Sequence, residues 1–299
     1  MKNRWLLNLV MLALVGGLVA FLYLRPQKMV EAAAAHEITQ LKLGDFNQIK
    51  AEFPTQTPLM FEKEDGLWRM TSPYKTRADQ MSVNRILSII AAQSPEKFPT
   101  TDLAKYGLDK PELVLKLTNS TATEVFTFGT HNPVTDEQYV SFKDAVYLLP
   151  VSYAESASTQ AIEMVDKSPL SPLEAKQIVG FNFGFLEQWQ ELGGLDVSLE
   201  KGNWKVSLPK TKITQNEMNE WLDFSWKQAF AKSVEMYTPD RQAKHPSLEV
   251  LLADGKKVHF DKIQESPELI LARPDEGILY HIASDAGFTM LNPPMSQQK

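Results

Sequence analysis

The residues able to carry chemistry are five histidines (His36, His131, His245, His259 and His281), many carboxylates and six tryptophans, in a chain without cysteine. Lack of thiols excludes disulfides, thiolate catalysis and cysteine metal sites. Zinc chemistry needs ligands at short fixed spacings, and neither an HExxH motif nor a close histidine pair occurs. His259 and His281 fall in the last two expected strands of the second half, open to meeting across them, although a polar strand face accounts for both. Ser284 follows His281 by three positions, but a serine nucleophile also needs a third group to orient its base. Phosphate cradles and nucleophile elbows are missing, and Gly180-Phe181-Asn182-Phe183-Gly184 places bulky rings between its glycines. Glu62, Glu64 and Asp65 read as a solvated turn. No catalytic, cofactor-binding or metal-ligating residue is assigned, and the expectation is a non-enzymatic protein.

Two features remain as contact or structural motifs. Trp68 and Trp204 would stack on a glycan or peptide if exposed; their matched hydrophobic alternation points instead to one core role used twice. Tyr106-Gly107-Leu108-Asp109-Lys110-Pro111 combines a glycine suited to positive φ with a proline that holds Lys110 extended. It reads as a rigid entry into the Leu113 strand with Leu108 in the core, or as a loop presenting Asp109 and Lys110. Trp189, Trp221 and Trp226, with Phe181, Phe183 and Phe185, make the second half aromatic-rich. Those rings are expected to fill the interface between units, or else to line a groove there.

The elements that would position these residues repeat. FEKEDGLWRMTSP at 61–73 parallels LEKGNWKVSLP at 199–209. Each is followed by an amphipathic helix, with Val83, Ile86, Leu87 and Ile90 in the first copy and Met218, Trp221, Leu222 and Ser225 in the second. Thr214 and Glu217 have capping-box spacing. Three alternating strands then follow in each copy: 111–117, 124–129 and 145–150, against 246–252, 257–262 and 277–282. Ser171, Pro172 and Glu174 mark a helix start in an ordered connector. The fold expected is α/β (α+β): an N-terminal transmembrane helix, then two tandem related units, each an antiparallel sheet covered by a helix. The divisions are 1–30 for the anchor and flanks, 31–150 for the first unit, 151–177 for the connector, 178–291 for the second unit and 292–299 for the tail.

Residues 5–24, WLLNLVMLALVGGLVAFLYL, form a run with Asn8 its one strongly polar side chain. As a helix it would reach about 30 Å, the thickness of a bilayer's hydrocarbon. Trp5 and Tyr23 mark its two ends. A cleaved signal peptide would use Lys2 and Arg4 as its charged start and Ala32–Ala35 for cleavage, but this run is longer, and Arg25-Pro26-Gln27-Lys28 intervenes. The chain holds 31 basic and 37 acidic residues. Setting aside Lys2, Arg4, Arg25 and Lys28 leaves 27 basic residues and a charge of −10 beyond the anchor. That acidity disfavours nucleic acid and a broad anionic lipid surface as partners.

The stretch G-L-W-x-M-x-S-P at 66–73, Tyr106 to Pro111, FTFG at 126–129, QYVSF at 138–142 and VYLLP at 146–150 together resemble the bacterial membrane-anchored family catalogued as domain of unknown function 4340. The second copy departs from it, with Tyr237-Thr238-Pro239-Asp240 and His245-Pro246 in place of the Tyr-Gly-Leu-Asp-Lys-Pro signature. The resemblance implies an envelope protein often encoded beside ABC-type export or gliding-type transport components, with no agreed catalytic residues. The function expected is a membrane-tethered periplasmic accessory or scaffold protein of the bacterial cytoplasmic membrane, single-pass, with an envelope protein as partner. The alternatives are a ligand- or glycan-binding module using the interunit groove, and an unrecognised hydrolase.

Overall fold

The computed structural model describes the backbone of residues 2–24, 35–240 and 242–297. Helix α1 runs Lys2–Leu24. Its described side chains, Trp5 and the run from Leu9 to Phe21, are exposed. Among the described residues, no helix is long and apolar enough to cross a membrane. Arg25 to Lys28, Ala32 to Ala34, the side chains of Lys2, Arg4, Asn8 and Tyr23, and the last two tail residues lie outside what is described.

The body is mixed α and β, built on two antiparallel sheets. In the first half come β1 (Gln48–Glu52), β2 (Leu59–Glu64), β3 (Leu67–Ser72), β4 (Thr76–Arg77), α2 (Gln80–Leu87), β5 (Lys97–Pro99), β6 (Leu113–Thr118), β7 (Thr123–Asn132), β8 (Glu137–Phe142), β9 (Ala145–Pro150) and α3 (Ser152–Ser158). Sheet order is β4-β3-β2-β1-β6-β7-β8-β9-β5. Period-two patterning explains the strands: Leu113, Leu115 and Leu117 are buried on β6 between half-buried neighbours. Helix α2 begins where Asp79 accepts a hydrogen bond from the Ser82 amide, and its stripe of Val83, Ile86 and Leu87, continued by Ile90, is buried.

After α4 (Pro172–Lys176), the second half contains β10 (Ile178–Phe185), α5 (Glu187–Gln190), β11 (Asp196–Glu200), β12 (Asn203–Val206), β13 (Thr211–Lys212), α6 (Gln215–Trp221), β14 (Ser233–Met236), β15 (Ser247–Leu252), β16 (Lys257–Gln264), β17 (Leu269–Arg273), β18 (Ile278–Ile282), α7 (Ser284–Leu291) and β19 (Ser296–Gln297). Its sheet order is β12-β11-β10-β15-β16-β17-β18-β14, with β13 paired to β19 instead. Strand for strand this repeats the first sheet from β3 to β5. Helix α3 follows β9 as α7 follows β18. The chain then returns to pair with the segment after the tryptophan hairpin, at Ala78–Val165 in the first half and Thr211–Gln297 in the second.

Several expectations need correction. Each meander has four strands rather than three, because β8 and β17 are inserted. Strand β17 is buried at four of its five residues, so it lacks the alternation that marks a half-exposed strand. Thr214 makes no side-chain cap at α6; the Ser171–Glu174 capping box of α4 is complete. Helix α6 passes into a π-helix at Leu222–Lys227. This widened turn brings Trp226, rather than Ser225, into the core. One hydrophobic core extends through both halves, from Ile38 to Leu291.

Candidate functional site

Trp68 and Trp204 are each 3% exposed. In both hairpins a glutamine from the following helix pins the tryptophan backbone. The Trp68 amide donates to Gln80 Oε1 at 2.8 Å, and Gln80 Nε2 donates to the Trp68 carbonyl at 2.9 Å. Gln215 makes the same pair with Trp204, at 2.7 and 3.0 Å. The side-chain amide satisfies outward-facing backbone groups that would otherwise invite another strand.

Tyr106 to Pro111 lies at the opposite edge of the first sheet from Trp68, and the two motifs do not meet. Gly107, at φ +68°, ends the Leu103–Tyr106 turn. A Cβ at Gly107 would stand 2.1 Å from Thr130 Oγ1, and one at Gly129 would stand 2.1 Å from the Tyr106 carbonyl. This close approach seats Tyr106, Leu108 and Val146 in a small cluster with Phe98 and Tyr139, while Asp109 and Lys110 are exposed.

The second-half aromatics pack among themselves and against α7. Trp189, Trp221 and Trp226 donate their indole N–H groups to the carbonyls of Leu291, Thr289 and Met290, at 3.2, 2.7 and 3.2 Å. They cap carbonyls at the C-terminal end of α7, where only that of Thr289 also accepts a local backbone bond, from the Asn292 amide. Phe181 and Phe183 stack beneath them with ring centroids 5.6 Å apart, and Phe185 is exposed. His259 and His281 also stay apart, because β17 stands between their strands. His259 pairs with Asp261 at 2.9 Å and His281 with Glu268 at 2.8 Å. Among the described residues, no group of three or more histidine, aspartate or glutamate side chains is placed to hold a metal.

The junction instead holds a polar cluster around two buried arginines, Arg77 and Arg273. Arg77, at the end of β4, donates to Glu276 at 2.8 and 3.1 Å, to Asp166 at 2.5 Å, to the Ser168 carbonyl at 2.6 Å and to the Tyr280 hydroxyl at 2.9 Å. Tyr280 donates onward to Glu276 at 3.0 Å. Beside it, Arg273 grips both oxygens of Glu174, at 2.9 and 2.5 Å, and the Pro169 carbonyl at 2.9 Å. The first half, the segment before α4 and the β17–β18 turn are thereby tied together.

Burial favours the neutral forms of these groups, and their neighbours decide the outcome. Burial would lower the pKa of Arg77, but Glu276, Tyr280 and Asp166 raise it instead. For Arg273, Glu174 and the other acids likewise outweigh burial and raise it. Burial pushes the Tyr280 hydroxyl up, and Glu276 pushes it further. Burial would raise the Glu174 carboxyl, yet Arg273 and the Ser171 cap bring it down to about 2. A groove of about 160 Å³ opens beside Arg77, lined by Glu64, Leu67, Trp68, Asp166 and Leu173 among others. Its tryptophan is a wall rather than an open stacking platform. The sequence gives no pairwise signal for this cluster, since Arg77 and Glu276 lie 199 residues apart. What it offers is the repeat itself, in which Thr76-Arg77 matches Thr211-Lys212.

Neither a curated protein nor a solved structure matches the chain. The model of the family described as Domain of unknown function (DUF4340) matches residues 68–244, from the first tryptophan hairpin across the junction and into the second half. With more than half of its length so matched, the chain belongs to the DUF4340 family.

Proposed function

We propose that this protein is a non-catalytic accessory or scaffold protein of the bacterial envelope. In this reading residues 5–24 cross the cytoplasmic membrane and hold a rigid, duplicated body in the periplasm, where it docks an envelope protein. The observation that carries the tether is the exposure of α1: Leu12 is 77% exposed, Leu14 69% and Val19 59%. A helix apolar on every side needs an apolar surrounding, and the body does not bury these side chains. The described run ends at Phe21, and the sequence extends the apolar stretch at both ends. Anchoring would raise the effective concentration of the body near its partner.

The body supports a contact role in two ways. Its Arg77–Glu276 cluster is hydrogen-bonded throughout, which favours rigidity over turnover. Its two matched tryptophans are packed into the core rather than presented for stacking on a ligand.

Absence of cysteine makes the test direct. Val134, 91% exposed in a turn, is replaced in Val134→Cys and labelled with a membrane-impermeant maleimide in spheroplasts. Labelling of intact spheroplasts is expected, with the protein kept in the membrane after a carbonate wash. Labelling only after lysis, or release by carbonate, overturns the reading.

A further inference from the structure

We infer that the cleft between the 53–58 loop and the end of α3 is a docking site for a tryptophan side chain of a partner protein. The duplicated fold shows the same place closed. By sheet order β10 and β11 correspond to β1 and β2, and α7 follows β18 as α3 follows β9. In the second half the connection between β10 and β11, residues 186–195, reaches the end of that helix. Trp189, carried on it, donates its indole N–H to the carbonyl of Leu291, the last residue of α7, at 3.2 Å. The first-half connection, residues 53–58, is shorter and holds no tryptophan. Between it and the end of α3 lies a cleft of about 410 Å³ that no described residue fills.

The lining selects the occupant. Phe53, Leu59 and Pro73 supply apolar surface, and Thr57, Ser158 and Gln160 supply polar groups. None of the lining side chains is charged, so an ionic ligand would give up its hydration without gaining a counter-charge. Ser158 ends α3 as Leu291 ends α7, and its carbonyl accepts no hydrogen bond from a described residue. The last carbonyls of a helix are satisfied from outside it, and in the second half the donor is an indole. The hydroxyls of Ser158 and Thr159 do not serve, because they donate back to the carbonyls of Ala154 and Glu155. A flat apolar body bearing one neutral N–H meets both demands. Tryptophan is the side chain that combines them, and it recurs at the buried centres of protein interfaces.

The inference rests on the docking-body reading, but the two fail separately: maleimide labelling does not touch the cleft, and cleft binding does not depend on which side of the membrane the body lies. The full chain in phosphatidylcholine nanodiscs is titrated with acetyl-Gly-Trp-Gly-amide built with 5-fluorotryptophan and followed by fluorine NMR, with empty discs as the blank. Saturable binding is expected. Methylating the indole nitrogen removes the donor but keeps the ring, and should weaken binding about three- to ten-fold. Thr57→Trp gives the loop a ring of its own and should abolish binding while keeping or raising the parent's unfolding midpoint. Thr121→Trp leaves binding unchanged, since Thr118 pairs with Gln48 and its turn lies at the other end of the sheet. If Thr57→Trp misfolds, the methylated peptide on the parent chain still decides. Absence of saturable binding by the parent, equal binding of the methylated peptide or of a phenylalanine peptide, or retained binding in a folded Thr57→Trp chain would overturn the inference. Tighter binding of free tryptophan than of the blocked peptide would overturn the assignment to a partner protein.

Discussion

Gly66 and Gly107 both hold a positive φ, but only Gly107 is crowded. A Cβ at Gly66 meets nothing within 4 Å, whereas at Gly107 it meets Thr130 Oγ1 and, at 2.9 Å, the Thr130 amide nitrogen. The hydroxyl can rotate away; the backbone cannot. Gly66→Ala is expected to cost about 1 kcal/mol for its left-handed backbone, and Gly107→Ala about 2–4 kcal/mol because strain adds to overlap. Urea unfolding of both variants checks the order. Glu174 gives the residue scale its pH dependence. Its carboxyl is lowered from 4.5 to about 2 in the folded chain, so its stabilisation is present above pH 4.5 and is lost as pH falls through about 2. In Glu174→Gln that contribution is absent at neutral pH, and the urea midpoint should fall less steeply than the parent's between those two values. An equally steep acid limb in the variant would assign the acid sensitivity elsewhere.

Among the elements, α7 shows how much was hidden from a linear reading. Apolar alternation made β6, β15 and the tryptophan hairpins legible, and the stripe of Val83, Ile86 and Leu87 made α2 legible. Helix α7 carries the exposed Phe288 beside the buried Met290 and Leu291, and its glycine at 287 weakens a helical reading. That glycine is required by packing, since a Cβ there would lie 2.4 Å from Leu269 Cβ. The π-helical turn was equally hidden, because inserting one residue into a turn moves Trp226 inward without altering composition. The cap that Trp226 places on the Met290 carbonyl depends on that shift. Trp226→Phe keeps most of the ring volume but leaves the Met290 carbonyl unpaired, at an expected cost of about 1–3 kcal/mol. Hydrogen exchange should quicken in α7 and the π-helical turn while α2 stays protected. Uniform loosening of both halves would mean that the caps are not local to α7.

At the scale of the molecule, the repeat was legible and the joint was not. Two matched hairpins can be seen along a sequence, whereas Arg77 meeting Glu276 requires both halves to be folded and docked. The shared core and this cluster make independent unfolding of the halves unfavourable, so the parent body should unfold in one transition with equal calorimetric and van't Hoff enthalpies. Arg77→Ala leaves the half-buried Asp166 and Glu276 without their main cation, a loss expected to cost about 2–4 kcal/mol, below the full penalty of a buried unpaired charge. Because that cost falls on the joint rather than inside either sheet, its signature is loss of coupling as well as a lower midpoint. Calorimetry should then resolve two transitions. Glu276→Ala in the Arg77→Ala background should add less than it costs alone, since the partners act as one unit. A single sharp transition in Arg77→Ala would place the coupling in the apolar core instead, and would make the buried arginine a determinant of orientation between the halves rather than of their cooperativity.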